Sequence, residues 1–137
     1  MRVELEFYES PSGAASDLGR FMDDLVTALS QANASEREKL LHLSLVYLRE
    51  LSDKEPDELR DYLSTRRVWR RLGNLPLYKT ADAPCVFFTA VEDAEVDEIR
   101  IYALGAAQGL ENPDGEGAWE RRIAARCRSL GLGDGKD

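Results

Sequence analysis

Histidine and cysteine are scarce in this chain: one His (His42) and two Cys (Cys85 and Cys127) in 137 residues. The cysteines lack metal-ligand spacing, so they read as reduced, largely buried thiols, with a disulfide or a reactive site as the alternative. His42 sits between leucines in a helical pattern, where a partly exposed or hydrogen-bonded helix residue competes with a catalytic role. No apolar run approaches the length that crosses a bilayer, so no membrane association is expected. The N-terminal MRVELEFYES alternates like a strand and lacks the apolar core of a signal peptide, which points to the cytoplasm. Positive charge is also short: 18 Lys and Arg against 26 Asp and Glu leave a formal charge of −8. That balance argues against a generic nucleic-acid binder, whose affinity rests on neutralising phosphates. The acidic run 92–98 lacks the turn glycine and fixed ligand spacing of a hard-cation loop and reads as a solvated turn. The C-terminal glycines follow no strand and open no helix, so they form no phosphate loop. Neither a metal nor a cofactor is expected, and no internal repeat or interdomain linker is present.

What is there suits one globular domain, residues 1–130, with 131–137 as a flexible tail; 43% hydrophobic and 32% charged residues are ordinary for such a domain. The organising stretch is 83–107. Cys85-Val86-Phe87-Phe88-Thr89-Ala90-Val91 is an unbroken run of β-formers, and Ile99-Arg100-Ile101-Tyr102-Ala103-Leu104 a second, so the pair predicts an antiparallel hairpin. Val3, Leu5 and Phe7 alternate with charges and predict a half-buried first strand, ended by the turn signal Ser10-Pro11-Ser12-Gly13. Leu18, Phe21, Met22, Leu25 and Leu29 predict a helix over 16–31 with Ser16 as N-cap. Ser35-Glu36-Arg37-Glu38 has the capping-box pattern and opens a helix to about 52, with Leu40, Leu41, Leu45, Val46, Leu48 and Leu51 as its apolar face. Pro56 starts a third helix that stops near 64–65. Residues 67–72 are then extended, and Leu75-Pro76-Leu77-Tyr78-Lys79 suits a short edge strand, where proline is tolerated. Trp119, Ile123, Cys127 and Leu130 give a final helix over 118–130, with Arg121, Arg122 and Arg128 outward and Gly131 ending it. The order predicts an α+β fold: a mainly antiparallel sheet with a helical hairpin packed on one face and a short C-terminal helix.

The densest local chemistry is Arg66-Arg67-Val68-Trp69-Arg70-Arg71, followed by Tyr78-Lys79. Guanidiniums beside a Trp can grip phosphates bidentately and stack a base. RNA cleavage needs cations for the phosphorane charge and a base for the 2′-hydroxyl; Arg70, Arg71 and Lys79 suit the first requirement. In the competing reading the arginines pair with the abundant carboxylates and Trp69 packs in the core. An acidic protein segment docking on the cluster is a further reading. Arg100 and Tyr102 share a strand face and join the candidates, while Tyr62 reads as core.

The element order, FYESPSG leading into a helix that contains DDLVTAL, the second helix KLLHLSLVYLREL, the segment RVWRRL, the hairpin and the final AARCR resemble the RelE/ParE toxin superfamily, most nearly its HigB-like branch. The resemblance covers Val3 to about Arg128 and rests on element order and hydrophobic spacing. It implies a RelE-like fold and the toxin of a bacterial or phage-type toxin–antitoxin pair, partnered by an acidic or helical antitoxin. The implied activity is ribosome-dependent mRNA cleavage by an endoribonuclease; ParE members act on gyrase instead. Family members carry an Arg in the strand matching 84–91 and Lys or Arg after the strand matching 99–104. This chain has Cys85-Val86-Phe87 and Ala106-Ala107-Gln108 there, so no catalytic residue transfers at either place. That departure implies a second function: a catalytically degenerate protein-binding module on the same scaffold.

Overall fold

The computed structural model describes residues 1–9, 18–110 and 115–133. Strand β1 (Arg2–Phe7) leads to helix α1 (Phe21–Gln31), then α2 (Ala34–His42), which continues through a π turn (Leu43–Tyr47) into α3 (Leu48–Ser52). Helix α4 (Pro56–Thr65), strands β2 (Arg70–Leu72), β3 (Leu75–Lys79), β4 (Cys85–Asp93) and β5 (Glu98–Ala107), and helix α5 (Gly115–Ser129) complete the order. The sheet runs β1-β5-β4-β3-β2 and is antiparallel except for β1, which lies parallel to β5. The expected α+β architecture is therefore present, with the N-terminal strand beside the last one.

Two apolar layers hold the sheet. On one face Phe21, Leu25 and Ala28 of α1, with Leu40, Leu48, Leu51 and Leu59, pack on Val86, Phe88, Ile99 and Ile101. Val3, Leu5 and Phe7 of β1 join this layer, as their alternation requires. The opposite face carries Leu77, Cys85, Phe87 and Leu104, and α5 covers it with Ile123 and Cys127. Complete burial of a side chain such as Ile123 is worth about 1.5–3 kcal/mol. The C-terminal helix thus makes a third layer. Burial pushes the thiols of Cys85 and Cys127 up to about 12, and both are free and buried.

β4 and β5 pair out of step at one point: Phe88 faces Ala103 and Phe87 faces Gly105, leaving Leu104 as an extra residue on β5. The Leu104 carbonyl accepts a hydrogen bond from Arg126 Nη1 at 2.8 Å. Arg126 is buried and also grips Asp24 of α1 through both terminal nitrogens, and the Leu18 carbonyl through Nε and Nη2. One guanidinium thereby ties α5, α1 and the bulge together. Gly105 permits the approach: a Cβ there would lie 2.9 Å from Ile123 Cδ1, 3.0 Å from the Trp119 ring and 3.1 Å from Asp24 Oδ2.

Several local expectations shift. The capping box sits two residues earlier than the Ser35 pattern suggests: Asn33 Oδ1 accepts from the Glu36 amide and Glu36 Oε1 from the Asn33 amide, both at 2.9 Å. Asn is as good a cap as Ser, and the shorter link from α1 decides between them. In helix 34–52 the buried face is Leu40, Leu43, Ser44, Leu48 and Leu51, whereas Leu41, Leu45 and Val46 are exposed. The sequence holds more leucine than one sheet-facing stripe can bury. β3 is interior, between β4 and β2, and β2 is the edge. Pro76 lies outside the β3–β4 ladder, which pairs only Tyr78 and Lys79, and its carbonyl accepts from the buried Thr89 hydroxyl at 2.7 Å. Helix α1 begins at Phe21, and α5 begins at Gly115 and ends at Ser129. Gly131 (φ 76°) turns the chain, and Leu132 then packs on the second core layer. The turn at Ser10-Pro11-Ser12-Gly13, the cap at Ser16 and tail residues 134–137 lie outside the described residues.

Candidate functional site

The chain leaving α4 cannot continue as helix beyond Arg66, which has extended backbone angles (φ −82°, ψ 143°). It runs across the sheet end to β2 and leaves a cleft of about 710 Å³ between this crossing segment, the end of β3 and the first turn of α5. Arg66, Arg67, Trp69, Arg70 and Lys79 line it, with Asp82 and Glu116. Five of the nine candidate residues therefore converge in one place, with four cations against two carboxylates.

Their chemistry differs. Arg66 is a tie: Nη2 donates to the carbonyls of Lys79 (3.0 Å) and Thr80 (3.2 Å), and Nη1 donates to the Tyr62 hydroxyl (3.2 Å). Its guanidinium carbon also lies 5.8 to 6.0 Å from the rings of Tyr62, Tyr47 and Phe88, within cation–π range. Tyr62 in turn shares a 2.7 Å hydrogen bond with Tyr47, and burial, the largest cause, raises the Tyr47 pKa. Arg66 thus joins the end of α4 to the end of β3.

Trp69 and Arg70 are held by α5. The indole ring of Trp69 packs 4.8 Å from Phe87, which stacks on Trp119 at 5.2 Å. Its Nε1 donates to Glu116 Oε2 at 2.6 Å. Arg70 donates through Nη2 to the same oxygen (3.3 Å), through Nε to Glu120 Oε1 (3.1 Å) and through Nη1 to the Trp69 carbonyl (2.8 Å). The Trp69 hydrogen bond, the largest cause, with the charges of Lys79 and Arg70, holds the Glu116 carboxyl below its ordinary range. Glu116 and Glu120 stand one turn apart on α5, so both carboxylates reach one guanidinium. The reading in which these arginines pair with carboxylates and Trp69 packs in the core describes Arg70 and Trp69 correctly.

Arg67 and Lys79 have no ion-pair partner among the described residues. Arg67 is exposed, and Lys79 acts on Glu116 by its charge alone, across the cleft. The other four candidates lie elsewhere. Arg71 is exposed on the edge strand and does not line the cleft, and Tyr78 is buried and stacked 5.2 Å from Phe88. Arg100 pairs with Glu6 at 3.0 Å and with the buried Glu98. Tyr102 packs against the α5 core layer. The positions where the resemblance would place cations, Cys85-Val86-Phe87 and Ala106-Ala107, are buried apolar residues, and Gln108 donates to Glu36 at 3.1 Å.

Glu116 and Glu120 were not among the sequence candidates. The available signal was two carboxylates at i and i+4 opening an amphipathic helix in a chain rich in unmatched arginines. Among the described residues, no cluster of three or more His, Cys, Asp or Glu is placed to hold a metal ion. None of the described helices is long and apolar enough to cross a membrane. No family model matches the sequence, and no curated protein or solved structure matches it.

Proposed function

We propose that this chain is a non-catalytic binding module on a RelE/HigB-like scaffold, one member of a toxin–antitoxin-type protein pair. Its basic cleft takes an acidic segment of the partner. The observation that carries this reading is the grip of Trp69 and Arg70 on two carboxylates, Glu116 and Glu120. A cleft that orients an indole N–H and a guanidinium toward carboxylate oxygens suits aspartate- or glutamate-bearing peptide. The formal charge of −8 opposes approach to a polyanionic ribosome and leaves this cleft as a local basic exception.

A second reading, ribosome-dependent mRNA cleavage, is favoured by Arg67 and Lys79, which line the same cleft and form no ion pair among the described residues. Cleavage needs a base for the 2′-hydroxyl, and a Glu116 carboxyl held below its ordinary range is a weak one. Strong expression of the chain in a bacterial host separates the two. Under the binding reading growth and bulk mRNA stay intact, and the purified chain retains immobilised polyglutamate until salt rises. Growth arrest with mRNA cleavage, relieved by Arg67→Ala with Lys79→Ala, would establish the ribonuclease.

A further inference from the structure

Helix α5 does two things at once. Its inner residues Ile123, Arg126 and Cys127 are buried and anchor it to the sheet. Its first turn places Glu116 in the cleft wall, where it accepts from the Trp69 indole N–H and from Arg70, and Glu120, one turn on, accepts from Arg70 Nε. The second task is not needed for the first. The side chains of Arg70, Glu116 and Glu120 are all more than a third exposed, at 39%, 41% and 46%. Such pairs contribute little to folding, about 0.2–1 kcal/mol each.

We infer that Glu116 and Glu120 are an intramolecular stand-in for the partner, and that the partner presents two carboxylates one helical turn apart. This rests on the acidic-partner reading and goes further, because the spacing of the internal pair specifies the ligand's geometry. An incoming acidic helix exchanges places with the Glu116 and Glu120 carboxylates at Arg70 and Trp69. Arg67 and Lys79, which make no internal ion pair, are then available to the incoming helix and tip the exchange toward it. Each internal carboxylate is a hydrogen-bond acceptor at an exposed site, so the exchange replaces like with like and leaves no buried charge unpaired.

The test uses the full chain and an alanine-rich synthetic helix carrying glutamates at i, i+4 spacing. A control peptide has the same composition with its glutamates at i, i+2. Binding is read from Trp69 emission in a Trp119→Phe background, since the chain has two tryptophans. Glu116→Gln with Glu120→Gln keeps oxygens that accept the indole N–H, and near-UV circular dichroism checks that the fold is retained. The double variant is expected to bind the i, i+4 peptide about three- to tenfold more tightly than the parent. Adding Arg70→Gln should abolish the gain, and the i, i+2 peptide should show less of it. Equal binding of the i, i+4 peptide by parent and double variant overturns the stand-in role while leaving the acidic-partner reading intact. Equal gains with both peptides overturn the spacing requirement. Binding of neither peptide to either protein overturns the inference and the reading together. A gain confined to an oligouridylate probe overturns the carboxylate partner in favour of RNA.

Discussion

Helix α5 is fastened to the rest of the molecule by two arginine–carboxylate clusters, and they differ in almost every physical respect. Arg126 and Asp24 are 102 residues apart in sequence, with side chains 2% and 8% exposed, and the guanidinium also satisfies the Leu18 and Leu104 carbonyls. Arg70 with Glu116 and Glu120 is partly exposed beside the cleft, with side chains 39%, 41% and 46% exposed. The residue types match, but the dielectric surroundings do not. A buried pair is costly to break because the surviving charge has no water to turn to. An exposed pair is cheap to break because water and salt replace the lost partner. The first is fit to hold a fold, and the second is fit to be exchanged for a ligand.

The largest effect is expected at Arg126. Arg126→Met should destabilise the chain by about 3–5 kcal/mol, read from urea unfolding, because buried Asp24 loses both short hydrogen bonds and keeps only the exposed Arg122 at 3.9 Å. Adding Asp24→Leu should recover most of that loss; no recovery would show that the carbonyl contacts, rather than the ion pair, carry the anchoring. Gly105→Ala tests the same junction sterically. The new methyl meets Ile123, Trp119 and Asp24 at about 3 Å, so a loss of about 1–3 kcal/mol is expected. A neutral result would mean that α5 can shift outward without penalty.

At the exposed cluster the expected effects are smaller. Arg70→Gln should change stability by less than about 1 kcal/mol, and 1 M salt should erase the difference. A loss as large as that of Arg126→Met would end the contrast. The smallest effect is acid titration of Glu116. Its carboxyl is held below the ordinary value of 4.5, so the stability it contributes is present above that pH and is lost as pH falls through the lower folded value. Trp69 emission should therefore change below about pH 4.5, and Glu116→Gln should remove that change. A transition that persists in the variant would assign it to another carboxylate.

Local chemistry legible in the sequence concerns elements whose pattern is self-sufficient. The alternation of Val3, Leu5 and Phe7 gives β1, and the paired β-former runs give the β4–β5 hairpin. Pro56 gives the start of α4, whose end falls where the apolar stripe is interrupted by Arg66. The arginine-rich segment 66–71 is identifiable in the same way, as a dense run of cations around Trp69, although Trp119 with Arg121, Arg122, Arg126 and Arg128 on α5 makes a second one. What the pattern leaves open is direction. Leu41, Leu45 and Val46 are as apolar as Leu40 and Leu48, yet they face outward, because the sheet accepts only one stripe of the helix.

Sequence alone determined the order of strands and helices, though not all their bounds, that the sheet is mainly antiparallel, and that residues 66–71 are basic and aromatic in an acidic chain. Helical hydrogen bonding and hydrophobic periodicity act over a few residues, and a few residues suffice to reveal them. Only the tertiary structure decided that α5 covers the second face of the sheet, that Trp69 turns inward onto Phe87, and which arginines are committed. Arg70 meets Glu116 46 residues away and Arg126 meets Asp24 102 residues away. Charges carry no directional pattern along a chain. Their partners are chosen by the packing that brings distant elements together, and by how much water that packing leaves between them.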